Sequence, residues 1–293
     1  MYWLNMFLLV FPKIVTYLVF WFNTLYWLVT KYKNILMKIL ITNDDGVTSN
    51  GILAARDAVK DLGETTIVAP LTQQSGVGHA ITLMKALRAM PMTLNDGTEA
   101  YAVTGTPTDC VILGSKGIMD EEPDLVISGI NIGENLSRSI TTSGTLGATF
   151  EAAHFGIPAI AVSLQVKHEE LKFKDGVNKI DYSHCISILN SLVKKVIEHG
   201  MPEGVNILNL NIPAHPESDE IIQSSFANRM YTTDVEKRID PYGHPYYWII
   251  GDLISDDEKG SDVHTLRVLN QPSITAISTD MSVDVDLSKW LDE

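Results

Sequence analysis

Two carboxylates stand side by side in Asn43-Asp44-Asp45-Gly46. Adjacent carboxylates repel each other, and a cation is the usual remedy. Their side chains diverge from one tight loop, so they can share one ion or divide catalytic labour. A helix N-cap is the plainer reading, because Asp is common there. Further on, Gln73-Gln74-Ser75-Gly76-Val77-Gly78-His79 offers a neutral hydroxyl in Ser75 and glycines that allow close backbone approach. His79 is either an acid–base group or a solvated side chain. Ser128-Gly129-Ile130-Asn131-Ile132-Gly133-Glu134-Asn135 presents the amide oxygen of Asn131 with glycine on both sides. Thr141-Thr142-Ser143-Gly144-Thr145 places hydroxyls and bare amides where a helix starts. That is either an anion site or an ordinary Ser/Thr cap. Asp44, Asp45, Ser75 and Asn131 together form a hard, oxygen-only set that suits Mg²⁺ or Mn²⁺ rather than zinc. A metal beside an anion cradle suggests phosphoryl chemistry.

These residues gain meaning from the elements that carry them. Lys38–Thr42 is a short apolar run, as a buried parallel strand would be, and Asn50–Leu62 has helical spacing with Gly63 as its C-cap. Thr65–Ala69 reads as a second strand, and residues 80–104 as antiparallel strands with a turn at Asn95-Asp96-Gly97. Thr106-Pro107-Thr108-Asp109 is a helix start. Asp124–Ser128, Ile157–Ser163 and Val205–Leu210 are further parallel-type strands, separated by helices at Thr145–Phe155 and Asp181–His199. The alternation predicts a doubly wound, mostly parallel, Rossmann-like α/β sheet with helices on both faces. Every candidate residue then follows a strand, at the edge where such folds bind ligands. Beyond Pro213 the alternation stops, and the C-terminal third reads as a β-rich arm. The expected division is an apolar extension over 1–36, a catalytic core over 37–215, and an arm with oligomerisation elements over 216–293.

The chain has 293 residues and a formal charge of −14. That balance argues against a nucleic-acid partner, which needs a net basic face. No GxxxxGK[ST] and no GxGxxG occurs, so ATPase and dinucleotide-dehydrogenase readings lose their main support. Cys110 and Cys185 lack a metal spacing and read as small buried apolar residues. The averages hide a lopsided start: residues 1–36 hold 26 apolar residues, no Asp or Glu, and three lysines. Ile14–Thr30 is uncharged and near the minimum spanning length, which allows a membrane helix. A signal peptide fits less well, because no small-residue cleavage site follows. The preferred reading is that the working protein starts at Met37, directly before the first strand.

The segments ILITNDDG, QSGVGHAITL, GTPTDC, PDLVISGINIGENL, SGTLGATFEAAHFGIPAIAVS and LNLNIP resemble, in order, those of the SurE family of survival-protein 5′-nucleotidases. The resemblance implies a divalent-metal-dependent phosphatase acting on nucleoside monophosphates. It implies one ion per subunit, held by Asp44, Asp45, Ser75 and Asn131, with Asn43 and Ser143-Gly144-Thr145 contacting the phosphate. It also implies a cytoplasmic homodimer or homotetramer that exchanges C-terminal elements. Arg238-Ile239-Asp240-Pro241 with Tyr246-Tyr247-Trp248 is similar to the family's arm, and Ser273-Ile274-Thr275 to its last strand. Gln271-Pro272 replaces a glycine–tyrosine pair expected there, and residues 1–36 have no counterpart. Asp44 and Asp45 are the expected catalytic residues, and Asp44 is the better placed to take a proton from water as well. The enzyme rival is a phosphatase with a covalent aspartyl nucleophile. The rival from another class is a membrane-tethered, non-catalytic nucleotide sensor.

Overall fold

The computed structural model describes residues 37–166, 180–254 and 258–291. The expectations for residues 1–36 therefore lie outside the described residues. Among the described residues no helix is long and apolar enough to cross a membrane.

A nine-stranded sheet carries the molecule. Its strands are β1 (Met37–Thr42), β2 (Gly63–Pro70), β3 (Ala89–Thr93), β4 (Glu99–Val103), β5 (Leu125–Ile132), β6 (Ala159–Leu164), β7 (Ile207–Ile212), β8 (Ile222–Gln223) and, late in the chain, β11 (Ser273–Ile277). The spatial order is β3-β4-β2-β1-β5-β6-β7-β11-β8. β1, β5, β6 and β7 run parallel in turn, as do β2 and β4. Both β6 and β7 are buried at every position; β6 reads as an apolar run up to Ser163, whereas β7 carries Asn209 and Asn211 among its apolar residues. From β1 the chain winds first towards β2 and β4, then returns to β5 and winds the other way. The reversal places the topological switch between β1 and β5.

Helices cover the sheet: α1 (Asn50–Val59), α2 (Pro107–Leu113), α3 (Gly144–His154) and α4 (Ser183–His199). α1 packs on α4, and α2 on α3. Right-handed crossovers taken in opposite directions, β1 to β2 and β5 to β6, put α1 and α3 on opposite faces. The β6 to β7 crossover departs from that rule: it advances the same way as β5 to β6, yet its helix α4 packs on α1. Thr106 caps α2 with a full capping box: its hydroxyl accepts from the Asp109 amide, and the Asp109 carboxylate accepts from the Thr106 amide, with Pro107 in the first turn.

Three boundaries differ from expectation. Gly63 does not cap α1; it opens β2, and the cap falls at Lys60. β5 does not stop at Ser128 but continues to Ile132 after a shift of register between Ser128 and Asn131. Gly129 takes φ +139° there, and a side chain at that position would overlap the Val162 carbonyl. The C-terminal third also divides. β8 and β11 complete the main sheet, with β11 antiparallel to β7. β9 (Asp234–Ile239) and β10 (Pro245–Ile250) form a separate antiparallel pair. A short helix, α5 (Asp262–Arg267), precedes β11, and α6 (Ser288–Leu291) lies near the end.

Candidate active site

The loop after β1 is held rigid from within. Asn43 is fully buried, and its side-chain nitrogen donates to the Gly46 carbonyl (3.0 Å) and the Ser49 hydroxyl (2.7 Å). The Gly46 amide returns a bond to its oxygen (3.2 Å), and Gly46 takes φ +99°, a conformation that favours glycine. Asn43 thus braces the turn that aims the next two residues.

Those two side chains part. Asp44 is buried and accepts from the Thr145 hydroxyl at the start of α3 (2.7 Å), while its carbonyl accepts from the Gln74 amide (2.7 Å). Asp45 accepts from the Ile132 amide at the end of β5 (3.0 Å). One dipeptide therefore ties together β1, the loop after β2, the end of β5 and the start of α3. Asn131 stands at the β5 end, where its side-chain nitrogen donates to the Gly133 carbonyl (2.7 Å). Ser75 rides on the exposed stretch of the 71–79 loop, next to Gln74, and makes none of these contacts.

Glycine sets the closeness. A β-carbon on Gly144 would lie 2.9 Å from the Asp44 Cβ and 3.2 Å from the Gln74 carbonyl. Gly147, one turn on, faces Gly78 so closely that any side chain would overlap its carbonyl. Gly78, at φ +58°, donates to the Thr142 carbonyl (3.0 Å). One turn further, the buried Glu151 carboxylate meets His79 Nε2 at 2.8 Å. The 71–79 loop is thus seamed along one side of α3. His79 points down the helix towards Glu151, away from the helix N-terminus.

Ser143 caps α3, its hydroxyl accepting from the Leu146 amide (3.3 Å), and Thr145 is fully buried. The first turn of α3 lies against Asp44, and a helix start favours anions.

A second layer went unread in the sequence. Asn135 donates to the Ser163 hydroxyl (3.0 Å) and the Thr145 hydroxyl (3.3 Å), so the latter is oriented to donate to Asp44. Asn209 and Asn211 on β7 both donate to the Asn135 carbonyl (2.9 and 3.0 Å). The one available signal was polar Asn at alternate positions of an otherwise apolar strand. Tyr182 was also missed: burial, then the nearby Asp45 charge, pushes its phenol up.

Burial also pushes the Asp44 carboxyl above its ordinary range, against the opposing pull of the Thr145 hydroxyl. No basic side chain offsets its charge among the described residues. A buried carboxylate, a second carboxylate and neutral oxygens, with room kept by Gly144, fit a hard divalent cation. Cys110 and Cys185 are buried thiols, and burial holds the latter up at about 12, so neither is a reactive group here.

Residues 39–234 match the family profile described as Survival protein SurE. The chain belongs to the SurE family. Over 256 residues it is 76% identical to the 5′-nucleotidase SurE of Methanosphaera stadtmanae, covering 87% of this chain and 100% of that one. It is 55% identical over 237 residues to the 5′-nucleotidase SurE of Methanothermobacter thermautotrophicus, covering 80% of this chain and 90% of that one. The SurE protein of Aquifex aeolicus, solved by crystallography, superposes with a TM-score of 0.71 at 37% identity, covering 87% of this chain and all of that one.

Proposed function

We infer that the protein is a 5′-nucleotidase, a metal-dependent phosphomonoesterase that hydrolyses nucleoside monophosphates to nucleoside and phosphate. One observation carries the reading: a buried, uncompensated Asp44 is joined by 2.7 Å to the N-terminus of an anion-receptive helix at the switch point of the sheet. Asp44, Asp45, Ser75 and Asn131 would hold the cation, one Mg²⁺ or Mn²⁺ per subunit. When bound, such a cation polarises a phosphoryl oxygen and lowers the pKa of water. The Ser143 hydroxyl and the Gly144 amide would receive the phosphate oxygens and balance charge as the P–O ester bond breaks, beside Thr145, whose hydroxyl is given to Asp44. Asn43 contributes by fixing the turn beneath Asp44. Asp44 is the group placed to accept a proton from the attacking water.

The protein is proposed to act in the cytoplasm as a homodimer or homotetramer. Its chain is proposed to divide into an extension over 1–36, a catalytic core over 37–215 and an arm over 216–293. Asp44→Asn is the deciding variant. It should abolish phosphate release from nucleoside monophosphates with Mg²⁺ or Mn²⁺ while circular dichroism stays native. Full activity would sink the assignment, and a chelator should silence the unaltered protein.

A further inference from the structure

Between Asn131 and Ser143 the chain runs through one irregular strap, residues 133–142. The sheet holds its first part. The Gly133 amide donates to the Leu164 carbonyl of β6 (2.8 Å), and the Asn135 amide to the Asn211 side-chain oxygen of β7 (2.8 Å). Past Asn135 the hold passes to the C-terminal third. Leu136 is buried in a small cluster with Ala227, Met230, Val263 and Leu266. The Ser137 amide donates to the Asp262 carboxylate at the start of α5 (2.7 Å), and the Arg138 amide to the Ala227 carbonyl (3.1 Å). The strap then winds as a 3₁₀ helix over Ser137–Thr142. The Ser143 amide closes it on the Ile140 carbonyl (3.1 Å), so the strap sets where Ser143 caps α3.

We propose that Asp262 is a positioning residue for phosphate binding, a carboxylate of the C-terminal third that sets the strap carrying Ser143. The proposal rests on the nucleotidase reading and deepens it. Ser137 is fully buried and takes φ +60°, in the left-handed region that is costly for residues other than glycine. Such a conformation persists only where its surroundings hold it. Asp262, fully buried itself, supplies that hold. One of its oxygens takes the Ser137 amide; the other accepts from the Ala227 amide (2.9 Å) and the Val263 amide (2.9 Å). A carboxylate has acceptor capacity for all three at once. One side chain therefore joins the strap, the segment that leads into the β9–β10 pair, and the helix that follows it. Arg267, at the other end of α5, pairs with Glu134, so the helix keeps a second tie to the strap when Asp262 is altered. The arrangement implies a division. The sheet fixes the end with Asn131, and Asp262 fixes the end with Ser143.

Asp262→Asn keeps the size of the side chain but turns one acceptor into a donor, which cannot satisfy both the Ser137 and the Ala227 amide. The Ki of inorganic phosphate against AMP hydrolysis should rise roughly tenfold, and KM for AMP with it, as the phosphate end is displaced. The Mn²⁺ Kd, from titration calorimetry without phosphate, should not change. Adding Ser137→Gly should bring Ki back to within about threefold of wild type, because glycine adopts φ +60° without support. An unchanged Ki in Asp262→Asn would overturn the role. So would a Mn²⁺ Kd that rises in step with Ki, the mark of general loosening, or a double variant no better than the single one. If circular dichroism shows that Asp262→Asn does not fold, Val263→Ala loosens the same helix more gently. It must then show the same split between Ki and Mn²⁺ Kd in smaller measure, and its absence overturns the role. A wild type that releases no phosphate from AMP overturns the nucleotidase reading and this one with it. An active wild type with an unaffected Asp262→Asn overturns the positioning role alone.

Discussion

At the scale of single residues, the centre is governed by one buried carboxylate and the glycine that makes room for it. Ala is a better helix former than Gly by about 1 kcal/mol, so Gly144→Ala would stabilise an ordinary helix start. Here its β-carbon would press on Asp44 at 2.9 Å. Phosphate release should therefore fall roughly 10²-fold while the melting temperature barely moves, because a small misplacement at a reacting centre is expensive. Asp44 also sets a pH dependence. Its folded-state pKa is raised, so its contribution to the stability of the metal-free fold is present below the ordinary carboxylate value and lost as pH rises through the folded one. At neutral pH the metal-free protein carries that cost, and a bound cation removes it. Mn²⁺ at 100 times its Kd should stabilise the fold by about 2.7 kcal/mol at neutral pH and much less near pH 4, where protons compete. Calorimetric melts at the two pH values check this. Asp44, Asp45, Ser75 and Asn131 could be picked out as candidates in the sequence because each sits in a short polar or glycine-flanked run after an apolar strand. Asn135, Asn209, Asn211 and Tyr182 could not, because their roles depend on neighbours far away in the chain.

At the scale of elements, the loop after β2 and helix α3 behave as one piece. Two glycine contacts and the His79–Glu151 pair join them over successive turns. His79 was open as an acid–base candidate in the sequence; its orientation makes it a clamp on the loop that carries Ser75. Replacing Glu151→Gln should weaken Mn²⁺ binding roughly tenfold, as changes behind a metal centre do. His184→Gln, which breaks an exposed His–Asp pair of the same 2.8 Å length, should leave Mn²⁺ affinity untouched. Titration calorimetry on both variants separates a clamp from a general loss of ion pairs. Strand positions were readable where burial on both faces gave short apolar runs, as in residues 39–41 of β1 and 159–162 of β6. They were misread at Gly63 and beyond Ser128. Gly63 is used in a strand rather than at a cap, and β5 resumes after its shift of register.

At the scale of the whole molecule, the C-terminal third was the least legible part. Its strands join the sheet at an edge distant in sequence, and no local pattern says which edge. The β9–β10 pair stands apart from the main sheet. Isolated two-stranded ribbons are marginal in water. This one exposes Trp248 (56%), Tyr247 (59%) and Ile249 (80%). Such an apolar surface fits the proposed homo-oligomer. Trp248→Asp should lower the mass measured by light scattering, with the far-ultraviolet spectrum of the core retained.

The way Asp44 and Asp45 are anchored also bears on the order in which the molecule assembles. The hydrogen bond from Ile132 to Asp45 closes a span of 87 positions, and that from Thr145 to Asp44 one of 101. Contacts so distant in sequence form late, after the entropy of closing long loops has been met. Helical content should therefore return early on dilution from denaturant, and phosphatase activity only afterwards. A nascent chain released before β5 would hold both carboxylates and no working centre.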